Sequence, residues 1–181
     1  KCNHDSASVN VIKDKSKMDH KELEKFYEGR LRINPYNMGR EYPYKNVKPK
    51  IIAEKYMIPD GETDINDYKF FCFDGKPEML FVATDRSDDC RFDFYDMDFN
   101  HLDIENIHPH SDKPIAKPEC FEEMKELAEK LTKGFKFVRL DLYEINGKVY
   151  FGEYTFFHAG GFWPFHPEEY EYKYGDLLKL D

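Results

Sequence analysis

Residues 137–155 carry the pattern that most restricts the fold. Phe137-Val138-Arg139-Leu140-Asp141-Leu142-Tyr143 alternates polar and apolar positions, Asn146-Gly147 follows, and Val149-Tyr150-Phe151-Gly152-Glu153-Tyr154-Thr155 resumes a strand-like run. Asn-Gly between two such runs marks an antiparallel hairpin. Side chains alternate faces along a strand, so Arg139, Asp141 and Tyr143 share a face of the first strand, and Phe151, Glu153 and Thr155 share one of the second. Whether these sets meet depends on register. A two-residue turn pairs Ile145 with Lys148, sets Asp141 opposite Gly152 and sends Glu153 to the far face. A three-residue loop of Ile145, Asn146 and Gly147 instead pairs Glu144 with Lys148 and Arg139 with Glu153, leaving Asp141 diagonal to Glu153. In that second register two carboxylates and a hydroxyl offer hard oxygen ligands of the kind Mg²⁺ takes, beside an arginine suited to phosphate. A salt-bridged sheet face is the plainer reading of the same residues.

The remaining composition restricts the class. A content of 16 Phe and 13 Tyr favours a β-rich α+β protein over a helical bundle. The 181 residues suffice for one domain with a sizeable core, or for two small lobes. A net charge of −9 argues against a general nucleic-acid surface, which needs a basic stripe. Any bound polyanion must therefore be met by a few cations or a metal. Cys2, Cys72, Cys90 and Cys120 are widely spaced and form no Cys-x-x-Cys pair, so a reduced, cytoplasmic chain is expected. No apolar run is long enough to span a bilayer, and no signal peptide opens the sequence. The chain starts at Lys1 without a methionine, and further sequence is expected to precede it.

Along the chain, residues 9–12 read as a short strand and residues 19–31 as a helix with Leu23, Phe26 and Tyr27 on one stripe. Residues 34–50, rich in Pro, Gly, Asn and Tyr, read as a long ordered loop, and residues 51–57 as a buried strand. A second hairpin is expected over residues 68–84 around Asp74-Gly75, with shorter strands at 92–95 and 101–104. Apolar residues at Phe121, Met124, Leu127, Ala128 and Leu131 give an amphipathic helix closed by Gly134, and a short helix starts near Pro167. His108-Pro109-His110 has no third ligand at a fixed spacing and reads as a polar loop rather than a metal site. His158 and His166 flank a Gly-Gly-Phe-Trp-Pro-Phe segment and are candidates for substrate contact.

Taken in order, Lys1 with the loop His4-Asp5-Ser6-Ala7-Ser8, then Glu54-Lys55-Tyr56-Met57, Arg139-Leu140-Asp141 and Glu153-Tyr154-Thr155 resemble the ATP-grasp fold of D-alanine-D-alanine ligase and its relatives. The phrases Lys1-Cys2-Asn3-His4, Gly39-Arg40-Glu41-Tyr42-Pro43-Tyr44-Lys45, Asp67-Tyr68-Lys69-Phe70-Phe71 and Gly152-Glu153-Tyr154-Thr155-Phe156 are similar to its TupA-like branch, over essentially the whole chain. The resemblance implies an α+β ATP-grasp fold with antiparallel sheets, flanking helices and two small lobes, residues 1–57 and 58–181, enclosing a nucleotide cleft. It implies ATP and Mg²⁺ as cofactors and a place in bacterial cell-surface polysaccharide or teichuronopeptide synthesis, a branch often labelled glycosyltransferase.

Carried over by position, Lys1 contacts the nucleotide phosphates, and the loop from His4 to Ser8, with Ser6 and Ser8, closes over them with backbone N–H groups. Glu54 accepts from the adenine amino group, the backbone of Lys55, Tyr56 and Met57 reads the ring edge, and Asp67 stands where a ribose-binding acid is expected. Asp141, Glu153 and Thr155 hold Mg²⁺, and Arg139 stabilises the transferring phosphoryl group. Three positions depart from the pattern: Asp5 where a glycine is usual, Thr155 where Asn is commoner, and His158-Ala159 where Pro-Gly often stands. The implied reaction is attack of a substrate carboxylate on the γ-phosphorus of ATP, giving an acyl phosphate that an amine, thiol or hydroxyl captures. Its partners are a small carboxylate and amine, or a glycan precursor. The same residues leave two alternatives: glycosyl transfer in an aromatic-rich cleft, or a degenerate, non-catalytic ATP-grasp binding module.

Overall fold

The computed structural model describes residues 1–6, 8–62, 64–86 and 88–180; Ala7 of the expected phosphate loop therefore lies outside the described residues. The chain divides into two units, Lys1–Met57 and Ile58–Asp181.

In the first unit, Cys2 pairs antiparallel with Ile51, flanked by backbone bonds from Asn3 N–H to Lys50 O (3.0 Å) and from Ile52 N–H to Lys1 O (2.8 Å). Helix α1 (His20–Leu31) begins where the Asp19 carboxylate accepts from the Lys21 and Glu22 amides, which satisfies two of the donors a helix start leaves free. Helix α2 (Tyr36–Gly39) and a 3₁₀ turn (Tyr42–Tyr44) interrupt the expected long loop. Two expected strands are corrected. Residues 9–12 form none, and Val9 and Val11 are exposed. In residues 51–57 only Ile51 pairs, and residues 51–56 are exposed. A short apolar run becomes a buried strand only where other strands flank it, and here a single bridge is available.

The second unit is built on one antiparallel sheet of order β4-β3-β2-β1-β5-β6, with β1 Asp67–Phe73, β2 Lys76–Thr84, β3 Arg91–Tyr95, β4 His101–Leu102, β5 Phe137–Ile145 and β6 Lys148–Thr155. Helix α3 (Phe121–Thr132) lays Phe121, Met124 and Ala128 on one face, against Phe70, Leu80, Val82, Leu140 and Leu142. The other face gathers Phe71, Met79, Phe81 and Phe94 under Ile104 and Tyr174, the latter from helix α4 (Glu169–Gly175). Every residue of β1 is buried, as expected of a central strand covered on both sides. With helices on a wholly antiparallel sheet, the architecture is α+β. No helix among the described residues is long and apolar enough to cross a membrane.

Both hairpins turn on two residues in the left-handed region, Asp74 and Gly75 (φ 46° and 78°) and Asn146 and Gly147 (φ 52° and 71°). Types I′ of this kind match the twist of the flanking strands. The β5–β6 hairpin therefore pairs Ile145 with Lys148, and the three-residue loop that would set Arg139 opposite Glu153 is not formed. A β-bulge at Gly152 then slips the register by one, so that Asp141 faces Glu153 and Arg139 faces Thr155. Only glycine fits there: a Cβ would lie 2.8 Å from the Tyr143 ring and 2.9 Å from the Asp141 carbonyl oxygen. The two acids meet directly, through a bulge rather than through a longer turn.

Candidate functional site

The face of the sheet opposite α3 changes character along the strands. At one end it is aromatic; at the other it carries Asp67 and Lys69 from β1 and Arg139 and Asp141 from β5, all buried. The pairing Lys69↔Asp141 places base and acid side by side, and Lys69 Nζ bonds the Asp141 carboxylate. The same ammonium lies 2.6 Å from Asp67 Oδ2, which Arg86 approaches at 3.1 Å. Arg139 grips Asp141 through Nε to Oδ1 (2.8 Å) and Nη2 to Oδ2 (2.9 Å), a fixed fork that suits a carboxylate. Its Nη2 also donates to Thr155 Oγ1 at 2.8 Å and stands 4.0 Å from Glu153, which is exposed.

The electrostatics follow from burial and neighbours. Burial favours the neutral form of Asp141, but Arg139 and Lys69 outweigh it and hold the carboxyl below the usual range. Burial wins at Asp67, whose carboxyl is pushed up despite Lys69, with Asp141 adding to the rise. Three cations, Lys69, Arg86 and Arg139, thus meet two buried carboxylates, with the charges of Glu153 beside Arg139 and of Asp64 beside Arg86 at the edge of the cluster.

Arg139 Nη1 lies 2.8 Å from His158 Nδ1. A guanidinium only donates, so Nδ1 accepts and the proton resides on Nε2, which donates to Asn106 Oδ1 at 2.8 Å. Asn106 in turn donates to the carbonyls of Trp163 (3.2 Å) and Pro164 (2.9 Å). Burial first, then the Arg139 charge, lower the His158 pKa to about 3, so the ring is neutral. Four of the five N–H groups of Arg139 are engaged; one hydrogen on Nη1 has no partner among the described residues.

The other expected site residues lie in the first unit. Lys1 Nζ is 2.9 Å from Glu54 Oε2, so those two positions are brought together as an ion pair. Lys55 and Tyr56 are exposed and Met57 is half-buried beyond it. In the loop after Lys1, His4 is buried and its Nε2 donates to the Arg30 and Ile33 carbonyls; Ser8 accepts from the Cys2 amide at 2.7 Å. Asp5 lies 2.7 Å from Arg30, and although burial opposes its ionisation, bonds from Ser8 and Arg30 hold its pKa low. Ser6 is exposed. Of the hairpin residues, Asp141, Glu153, Thr155 and Arg139 converge, and Asp67 joins them inside the charge cluster.

Lys69, Arg86 and Asn106 join the cluster although no motif in the sequence marks them as site residues. The alternation Asp67-x-Lys69-x-Phe71 was the available signal for Lys69, since it puts an acid and a base on one face of a strand that is otherwise apolar. Asn106 has no such signal.

The oxygens of the hairpin fit a hard divalent cation. Asp141 spends three of its roughly four lone-pair sites on Arg139 and Lys69, leaving one on Oδ1. Thr155 keeps a lone pair, and the exposed Glu153 carboxylate is open. Mg²⁺ completes such incomplete protein sets with water and phosphate oxygens.

The structure is thus an α+β protein with Lys69 and Arg139 buried beside the oxygens of Asp141, Glu153 and Thr155 on one sheet face. The chain is a member of the TupA-like ATPgrasp family, whose model matches residues 1–179. ATP-grasp proteins are generally enzymes that use ATP and Mg²⁺. No curated protein and no solved structure matches the chain.

Proposed function

We propose that the chain is an ATP- and Mg²⁺-dependent ligase that activates a carboxylate as its acyl phosphate, for capture by an amine or another nucleophile, in the making of a bacterial cell-surface glycan or teichuronopeptide. The buried Lys69 and Arg139 cations, fixed on Asp141 beside the open Glu153 carboxylate and Thr155, carry this reading. Donors held in place by such bonds need no reorganisation when charge develops on a phosphoryl group. Arg139 is held by Asp141, Thr155 and His158, and the free hydrogen on Nη1 is its remaining donor for a phosphate oxygen. Asp141, Glu153 and Thr155 would hold Mg²⁺, which supplies charge neutralisation at the phosphates. Lys1, the His4–Ser8 loop, Glu54 to Met57 and Asp67 take the nucleotide roles that family resemblance assigns, with residues 1–57 and 58–181 as the two lobes of the nucleotide cleft.

No side-chain nucleophile is required, because positioning and charge stabilisation suffice for phosphoryl transfer. Glycosyl transfer is less well supported, since it gives no part to the Lys69 and Arg139 cations fixed beside the hairpin acids. The test is phosphate release from ATP with a panel of cell-wall carboxylates and amines. Glu153→Ala should lower kcat by about 10²-fold or more, the scale on which loss of one transition-state contact acts. Unchanged release in that variant would sink the proposal.

A further inference from the structure

The opposite face of the same sheet holds a second cluster. Asp93 lies between Phe92 and Phe94 on β3, and alternation turns its carboxylate away from the Arg139 face, to the side where Tyr95 meets the α3 core. The β3–β4 register sets His101 opposite Tyr95 on that side. A backbone bond from Phe92 N–H to Pro109 O (3.1 Å) and one from Arg91 Nη1 to His110 O (3.3 Å) draw His110 alongside β3. His101 Nε2 and His110 Nδ1 then stand 3.3 and 3.5 Å from the same oxygen, Asp93 Oδ1, with all three ligand atoms within 4.8 Å of one another. The third ligand that the His108-Pro109-His110 segment lacks in sequence is supplied by neighbouring strands.

A hydrogen-bonded polar loop leaves too much unsatisfied. Both ring nitrogens of His110 are buried, and neither has a hydrogen-bond partner among the described residues. Leaving such a group unpaired costs on the order of 1–3 kcal/mol. Asp93 is preorganised, 4 % exposed and fixed by the Ser111 amide at 3.1 and 3.3 Å. Tetrahedral coordination with bonds of about 2.0–2.1 Å sets ligand atoms roughly 3.3–3.4 Å apart, close to the two spacings found here. Asp103, on an exposed side chain, is the carboxylate near His110 Nε2, at 3.8 Å and beyond hydrogen-bond distance.

The geometry points to a transition-metal site of zinc type formed by Asp93, His101 and His110, with water completing the coordination through the partly exposed His101 side. Two imidazoles and one carboxylate suit Zn²⁺ and its neighbours and not Mg²⁺, so this site and the Asp141–Glu153 oxygens select different ions. The site does not depend on the ligase reading.

The full chain, stripped with a chelator and dialysed against Zn²⁺, should retain one zinc per chain by elemental analysis. Co²⁺ in its place should give the intense visible bands of four-coordinate cobalt. His101→Ala, at an exposed position that leaves the fold intact by metal-free thermal unfolding, should weaken Zn²⁺ binding by at least the roughly tenfold that loss of even an outer-shell partner costs. His110→Ala should do the same, while Glu153→Ala should bind zinc as the wild type does. Failure of the wild type to retain zinc, retention undiminished in both histidine variants, or loss in Glu153→Ala would each overturn the assignment.

Discussion

Asp141 has no exposure and would be neutral if burial acted alone; the fork from Arg139 and the Lys69 ammonium keep it ionised. Removing one partner from such a pair leaves a buried charge uncompensated. Arg139→Met should therefore lower stability by about 3–5 kcal/mol in urea unfolding at neutral pH, and adding Asp141→Asn should recover part of that loss. A double variant as unstable as the single would show that the pair is not what Arg139 protects. His158 gives a second expectation. Its folded pKa of about 3 is depressed from an ordinary value near 6.5, so its contribution is fully present above pH 6.5 and is lost as pH falls from there toward 3. Wild-type stability should drop by up to about 1.4 kcal/mol per pH unit between pH 6 and 5, less to the extent that the ring retains solvent contact. His158→Gln should flatten that slope, as measured by unfolding at the two pH values. Asp141 adds an acid-sensitive component of the same sign at lower pH, because its folded pKa is also depressed.

At the scale of elements, the β5–β6 hairpin combines a two-residue turn with a one-residue bulge. Side-chain facing along a strand has the logic of parity: one inserted residue inverts it, and a second change restores it. Gly152 is the residue the bulge inserts, so deleting it should leave Glu153 opposite Asp141 and Thr155 opposite Arg139 in a regular ladder, whereas deleting one of residues 148–151 should not. Gly152→Ala, which forces a Cβ against Tyr143 and the Asp141 carbonyl, should cost about 1–3 kcal/mol in thermal unfolding. An unshifted melting temperature would mean the backbone yields there freely. The hairpins, α1 and α3 were legible in sequence because Asp74-Gly75, Asn146-Gly147 and the helical stripes state their own geometry locally. The bulge was not, since a glycine inside a strand is equally a weak strand residue or a bulge until its partner strand is known. The charge cluster was legible at Asp67 and where β5 and β6 supply it; Lys69 joins through the pairing of β1 with β5, and Arg86 through Asp67. The exposed run at 51–56 misled in the opposite way, because hydrophobicity without flanking strands does not secure burial.

Across the whole molecule, order should be uneven. β1, β2 and β5 are buried on both faces, whereas residues 53–56 are exposed and belong to no strand. Amide exchange should be slowest at Phe70, Leu80 and Leu140 and fast from Ala53 to Tyr56, and comparable protection in the two groups would contradict this layout. The chain from Arg139 through His158 and Asn106 ends on the backbone of Trp163, the only tryptophan in the protein, whose side chain is exposed. The protein thereby carries its own optical reporter. Any anion that draws the Arg139 guanidinium away from His158 loosens the anchor of the indole, and the emission of an unlabelled sample becomes a gauge of occupancy at a cluster buried out of its sight.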